Sequence, residues 1–199
     1  MVTQEPWIQH ATIRENILFG QEFDHRKYDA IIEAVALLDD LKVLPAGDKT
    51  EVGENGVTLS GGQKARLSLA RALYQDKSVY LLDDPFAAVD THVARHIYNK
   101  CIMGLLKNKT RILCTHHTKF LINADVVMEI RDGTIEQIGP PSQVLGTVDL
   151  EDEQEAPQTN NQELYTDNSD DPGLVQDEEQ ERGVASLILP SPGSSELSV

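Results

Sequence analysis

Apolar residues recur at helical spacing in two parts of the chain. Ile31, Ile32, Val35 and Leu38 predict a helix over Tyr28 to Leu38. Leu67, Leu69, Ala70 and Leu73 give an apolar side to a helix that opens at Ser60 and runs to Tyr74. Thr91 to Leu106 reads as a further helix. A shorter one, from Ile13 to Phe19, follows a capping box in which the Thr12 hydroxyl caps and Glu15 reaches back; it stops at Gly20. Val79-Tyr80-Leu81-Leu82 and Arg111-Ile112-Leu113-Cys114-Thr115 are short apolar runs that predict buried parallel strands, the first ending in two aspartates. Val126 to Ile130 and Thr134 to Ile138 flank Asp132-Gly133, a hairpin signal. Pro45, Gly47, Gly53 and Gly56 mark a long irregular segment. Strands alternating with helices predict an α/β fold.

The pattern stops at Asp149. The chain has 199 residues and a net charge of -16, and the charge is unevenly placed. Residues 1–148 hold 16 Lys+Arg and 19 Asp+Glu, a net of -3; residues 149–199 hold 1 and 14, a net of -13. Two regions follow: a globular part over 1–148, and an acidic, Ser/Pro-containing linker or tail over 149–199, predicted to be disordered. Val184 to Leu189 is an apolar island in that tail and could start another element. An acidic tail repels nucleic acid and anionic lipid, so neither is expected as a direct partner. No apolar run reaches the roughly 18 residues of a membrane span, so no direct membrane insertion is expected. Met1 to Arg14 lacks the pattern of a signal peptide. Cys101 and Cys114 are far from any CxxC spacing, so a zinc site is not expected and reduced thiols are.

Four patterns carry chemistry. In Leu59-Ser60-Gly61-Gly62-Gln63 a serine and two glycines open a helix, exposing backbone N–H groups to a phosphate. The plain alternative is a capped helix after a turn, because Ser60 and Gln63 also satisfy a capping box. Asp83 at a strand end can orient Mg²⁺ and its waters. Asp84 follows it and can polarise a water, and Asp90 lies a short loop further on. His116, after the strand 111–115, can contact a terminal phosphate. Each has a dull reading singly, as a turn, a cap or a core histidine. Their order and spacing together do not.

With these motifs, Gln4 to about Leu145 resembles the C-terminal two-thirds of an ATP-binding-cassette (ABC) nucleotide-binding domain: a helical signature subdomain plus part of a RecA-like parallel sheet. The resemblance places Gln4 at the Q-loop, where it would touch the γ-phosphate, Mg²⁺ and the coupling helices. It places Leu59 to Gln63 at the signature, Val79 to Asp83 at the Walker B strand, Ala87 to Asp90 at the D-loop and His116 at the switch histidine; His117 has no assigned role. Thr50 to Gly56 resembles the X-loop of exporters. Gln4 to Gln9, Ala11 to Gly20 and Leu82-Asp83-Asp84-Pro85 are similar to the first nucleotide-binding domain of subfamily C, the multidrug resistance-associated group. The implied site is catalytic Asp84 and His116; nucleotide contacts from Gln4, Ser60, Gly61, Gly62, Gln63 and Asp90; and metal contacts from Gln4 and Asp83. The implied cofactors are ATP and Mg²⁺. The implied partners are a second nucleotide-binding domain, met head to tail, and transmembrane domains reached through coupling helices. The implied location is the cytosolic face of a membrane, and the implied role is ATP-driven export of organic anions or amphipathic compounds.

Two departures qualify this. Asp84 stands where most of the family has glutamate, so its carboxylate is drawn back and its own site should turn over slowly. No Gly-Lys-Ser or Gly-Lys-Thr occurs anywhere in the chain, so no P-loop is available. The chain alone is therefore expected to be inactive, and to be a fragment, a truncated gene product or a splice form. Two alternatives stay open: a non-catalytic form that docks on an intact domain through Ala88, Val89, Asp90 and the signature helix, and a soluble ATPase of the same superfamily.

Overall fold

A computed structural model describes residues 1–53 and 56–145 in full and Gly183–Ile188 as backbone. The chain opens with a short strand β1 (Ala11–Thr12) that runs into helix α1 (Ile13–Leu18). The Thr12–Glu15 capping box forms on both sides, and Phe19 ends the helix in the left-handed region. Helix α2 (His25–Ala34) follows, capped by Asp24. It stops four residues short of the predicted Leu38. The Leu37 N–H donates to the Ile32 carbonyl and the Ala36 N–H to that of Glu33, with Ala36 at φ 55°. This is a Schellman ending built without glycine, so no glycine marked it in the sequence. A separate helix α3 (Leu38–Val43) then fills the stretch before the segment read as irregular.

Strand β2 (Glu51–Val52) pairs antiparallel with β1. Helix α4 (Gly61–Tyr74) begins where predicted, with Ser60 as its cap. Strand β3 (Val79–Asp83) leads through a turn to helix α5 (Thr91–Ile97), which continues as π-helical turns over Tyr98–Leu105. The single helix predicted over Thr91 to Leu106 thus changes pitch half-way. Strand β4 (Thr110–Cys114) lies parallel to β3, with Asp83 opposite Cys114. Strands β5 (Val126–Arg131) and β6 (Thr134–Gly139) form the predicted hairpin, closed by Asp132 at φ 50° and Gly133 at φ 73°. A short helix α6 (Pro141–Val144) follows.

The main sheet has the order β3-β4-β7-β5-β6, where β7 is Gly183–Ile188. That strand runs antiparallel to both neighbours, with Ala185 between Cys114 and Met128. The segment predicted as a tail therefore supplies a central strand at its apolar island; the rest of 149–199 lies outside the described residues. Residues 54 and 55 of the X-loop lie outside them too.

One sheet face carries the core. Tyr80, Leu82 and Leu113 are buried with Leu67, Leu69 and Tyr74 of α4 and Ile97 and Ile102 of the next helix. The other face of β3 is open: Val79 and Leu81 are 53% and 41% exposed. The expectation of a strand buried on both faces is corrected here, because helices cover β3 on one side only among the described residues. Phe86 stacks 4.5 Å from Phe120, which lies 5.0 Å from Tyr98. These rings lie beneath the turns that follow β3 and β4 and hold the two turns together. Both cysteines are free thiols; burial pushes Cys101 up to about 12, and its Sγ–H donates to the Ala34 carbonyl at 3.1 Å.

The helical part is tied together by a buried cation. Arg71 on α4 donates to the Asn16 carbonyl at 2.8 Å, to Asn16 Oδ1 at 2.7 Å and to the Trp7 carbonyl at 3.1 Å. Its guanidinium lies 4.0 Å from the centre of the Trp7 ring. Asn16 is fully buried; its amide donates to Gln9 and Thr12 carbonyls and its Oδ1 accepts from the Gln9 N–H. Burial lowers the Arg71 pKa, but an arginine at this depth keeps its charge at neutral pH. Arg71→Met should cost about 3 kcal/mol or more, because it removes charge-assisted bonds and leaves buried oxygens unpaired. Urea unfolding followed through Trp7, the one tryptophan of the chain, measures it and reports the lost stacking directly.

Candidate nucleotide site

The N-terminus of α4 is an exposed helix tip. Ser60 is extended (φ -64°, ψ 163°); its Oγ accepts from the Gln63 N–H at 3.2 Å, and Gln63 Oε1 accepts from the Ser60 N–H at 2.9 Å. The Gly61 and Gly62 N–H groups are the first two of the helix and have no acceptor within it. Ser60 and Gly61 are exposed. The helix dipole and these two donors suit an anion, and the Ser60 hydroxyl keeps its proton to donate. The Gln63 amide is engaged at both ends, its Oε1 by the Ser60 N–H and its Nε2 by Asp40 at 2.8 Å, which fixes its place at the tip and leaves one N–H of the amide uncommitted.

Behind the tip, Arg66 pairs with Asp40 at 2.6 Å and donates to the Ala36 carbonyl. The helix is thus fastened to the bend between α2 and α3. The tip opens on a cleft lined by Ser60, Gly61, Gly62, Ala88, Val89 and Asp90 among others. Asp90 caps α5, its Oδ1 accepting from the Val93 N–H at 3.0 Å. Signature and D-loop residues therefore share one surface. Gly62 makes that contact possible: a Cβ there would lie 2.7 Å from the Ala88 carbonyl oxygen, whereas one at Gly61 would meet only the Ala88 methyl at 3.8 Å.

The second cluster stands at the carboxyl ends of β3 and β4, and its residues do not line that cleft. Val2 lies along the outer edge of β3: its N–H donates to Leu81 at 2.8 Å and its carbonyl accepts from Asp83 at 3.0 Å. That pairing carries the chain, and exposed Gln4 two residues on, toward the strand end. Asp83 is half-buried, and its carboxylate makes no hydrogen bond or ion pair among the described residues. An uncompensated carboxylate at a strand end fits a divalent cation. Asp84 turns into the left-handed region (φ 38°) and its N–H donates to the Cys114 carbonyl at 2.8 Å. The turn points its carboxyl at the other strand: Oδ2 lies 2.9 Å from His116 Nδ1, and Oδ1 accepts from the Thr115 hydroxyl at 3.2 Å. Asp84 and His116, predicted as a catalytic pair, are in contact.

Sequence reasoning left two participants aside. Thr115 is buried and orients Asp84 while its own Oγ accepts from the His117 N–H. His117 stacks on His116, with ring centres 4.0 Å apart. Burial, then the neighbouring His116, lowers the His117 pKa and keeps that ring neutral. Cys114 is raised by burial first and by the charges of Asp83 and Asp84 after it. The signal for Thr115 and His117 was only their adjacency to His116 on a strand end.

A third surface lies between the segment after Gln4 and the X-loop, lined by Pro6, Ile8, His10, Val52, Gly53 and Val57 among others. Gly53, at φ 114°, brings its backbone against His10, where a Cβ would be 3.0 Å from the His10 Cα.

Comparison with known proteins bears on the family. Residues 1–87 match the family model described as ABC transporter. ATP-binding cassette sub-family C member 10 of Mus musculus is 50% identical over a 204-residue alignment, covering 94% of this chain and 14% of that protein. The Homo sapiens protein of the same name is 60% identical over 148 residues, 74% of this chain and 10% of its own length. Multidrug resistance protein mrp-7 of Caenorhabditis elegans is 56% identical over 140 residues, 69% of this chain and 9% of its own. The chain thus spans about a seventh of these relatives or less.

The two signature glycines should respond differently to a methyl group. Gly61→Ala adds helix propensity in open space and should leave stability unchanged or slightly higher. Gly62→Ala forces the D-loop backbone away and should be less stable than Gly61→Ala by about 2 kcal/mol. Denaturation midpoints of the two variants decide the matter.

Proposed function

The chain belongs to the ABC transporter family and is similar to its subfamily C, and on that premise we propose that it forms part of a nucleotide-binding domain that powers export of organic anions or amphipathic compounds. The observation that carries this reading is the separation of two half-sites on one chain. The exposed tip at Ser60 and Gly61 opens, with Gly62, on a cleft that Asp83, Asp84 and His116 do not line, while Asp84 and His116 meet at the strand ends. A helix tip whose cleft lacks these groups suits a phosphate held by a second domain.

In this reading two nucleotide-binding domains meet head to tail. Ser60, Gly61 and Gly62 hold the outermost phosphate of a nucleotide gripped by the partner domain, and Asp90 crosses the same interface. Asp83, with Gln4, holds Mg²⁺ in this domain's own site; ATP supplies the reactive phosphoanhydride. His116 donates a hydrogen bond to the terminal phosphate. Asp84 accepts a proton from water poorly, because its carboxylate is short and already engaged by Thr115 and His116. Its own site is therefore the slow one.

The coupling helix of a transmembrane domain would seat in the groove between Pro6, Ile8 and the X-loop. Arg71 would then link that groove to the signature helix through Trp7. No helix among the described residues is long and apolar enough to cross a membrane. In this reading the domain works at the cytosolic face, joined to transmembrane domains through their coupling helices. With no P-loop lysine in its sequence, the isolated chain should bind ATP very weakly and hydrolyse none.

Ser60→Ala, placed in a transporter that contains this segment, tests the proposal. Turnover at the opposite site should fall by about tenfold or more, with this domain's own site affected less. Site-resolved nucleotide trapping measures it, and equal loss at both sites would overturn the head-to-tail assignment.

A further inference from the structure

One cluster at the strand ends has a composition that Mg²⁺ and phosphate chemistry does not call for. Asp84, His116 and His117 each offer a ligand atom, and the three atoms lie within 4.8 Å of one another. A four-coordinate zinc ion with bonds of about 2.1 Å sets its ligands roughly 3.4 Å apart. The Asp84–His116 contact of 2.9 Å is shorter than that and opens slightly to admit an ion, while the wider separations in the cluster close by side-chain rotation. His116 is 58% exposed and free to make it.

The ligands are held by the fold. Asp84 is fixed at its N–H by the Cys114 carbonyl, and Thr115 holds Oδ1, which leaves Oδ2 toward the imidazoles. A hydroxyl that orients a ligating carboxylate from behind is what stable metal sites use. The His117 backbone N–H is anchored to the same hydroxyl, and its ring packs edge-on to Phe120 at 6.0 Å. Two imidazoles and one carboxylate form a borderline donor set. It selects zinc and its transition-metal neighbours over Mg²⁺, which takes oxygen ligands and keeps its waters.

We infer that Asp84, His116 and His117 form a three-ligand site for a divalent transition-metal ion of the zinc class, with water in the open fourth position. The ion displaces the direct Asp84–His116 contact and, where His116 is protonated, releases that proton. Binding requires no nucleotide, so it stands apart from the proposed function. One consequence does rest on that function: an occupied site withdraws His116 and Asp84 from the terminal phosphate.

Co²⁺ reports the site through its visible ligand-field absorption. Titration of the full chain without nucleotide should saturate at one ion, with the intensity of four- or five-coordinate cobalt. Zinc should abolish the band, and excess Mg²⁺ should not. His117→Asn and Asp84→Asn should each weaken binding by about tenfold or more. His92→Asn, at an exposed histidine elsewhere, should leave it unchanged. In the unaltered chain, zinc should protect His116 and His117 from carbethoxylation, read by peptide mass spectrometry, and leave His92 reactive. Absence of saturable binding, binding that survives both substitutions, or equal protection of all three histidines would each overturn the assignment. A chain that binds zinc but fails the Ser60 test would lose its proposed function and keep this site.

Discussion

The helical part of the chain leans on a buried guanidinium that has no carboxylate partner among the described residues. Arg71 neutralises its desolvation with three oxygen dipoles and an aromatic face. Those oxygens belong to Trp7 and Asn16, on the segment that leads away from Gln4. A cation satisfied by dipoles demands close geometry, because no single strong ion pair can make up for a displaced partner. The result is a rigid joint between α4 and residues 7–16.

The strand ends show a second constraint. Two parallel strands bring Asp83 and Cys114 into register, yet register alone would leave Asp84 pointing along its own strand. The left-handed turn at Asp84, paid for by one backbone bond to Cys114, redirects the carboxyl onto His116. A compact aspartate suits that strained position better than a bulky residue would. The same substitution that shortens reach toward water also lets the carboxylate nest between Thr115 and two imidazoles.

Much of this was legible from residue order. The capping boxes at Thr12 and Ser60 form as their spacing implies, since a cap is decided within four residues. The β5–β6 hairpin is equally local. The end of α2 was not legible, because Ala36 adopts the left-handed conformation usually signalled by glycine. The partial exposure of β3 was hidden as well: an apolar run records what a strand can bury, whereas the elements present decide what it does bury. The strand at Gly183–Ile188 inserts between β4 and β5 from far along the chain, a pairing that no local pattern encodes.

The sequence by itself determined the chemistry on offer: a serine and two glycines before a helix, carboxylates after one strand, imidazoles after the next. These are short-range facts, set by residue type and spacing. Tertiary structure alone decided who touches whom. It set Gln63 between Ser60 and Asp40 at the helix tip, brought Thr115 and His117 to Asp84, and opened the signature on a cleft that the carboxylates after β3 do not line. The reason is physical: a side chain's role depends on direction and burial, and both arise only when segments distant in sequence pack against one another.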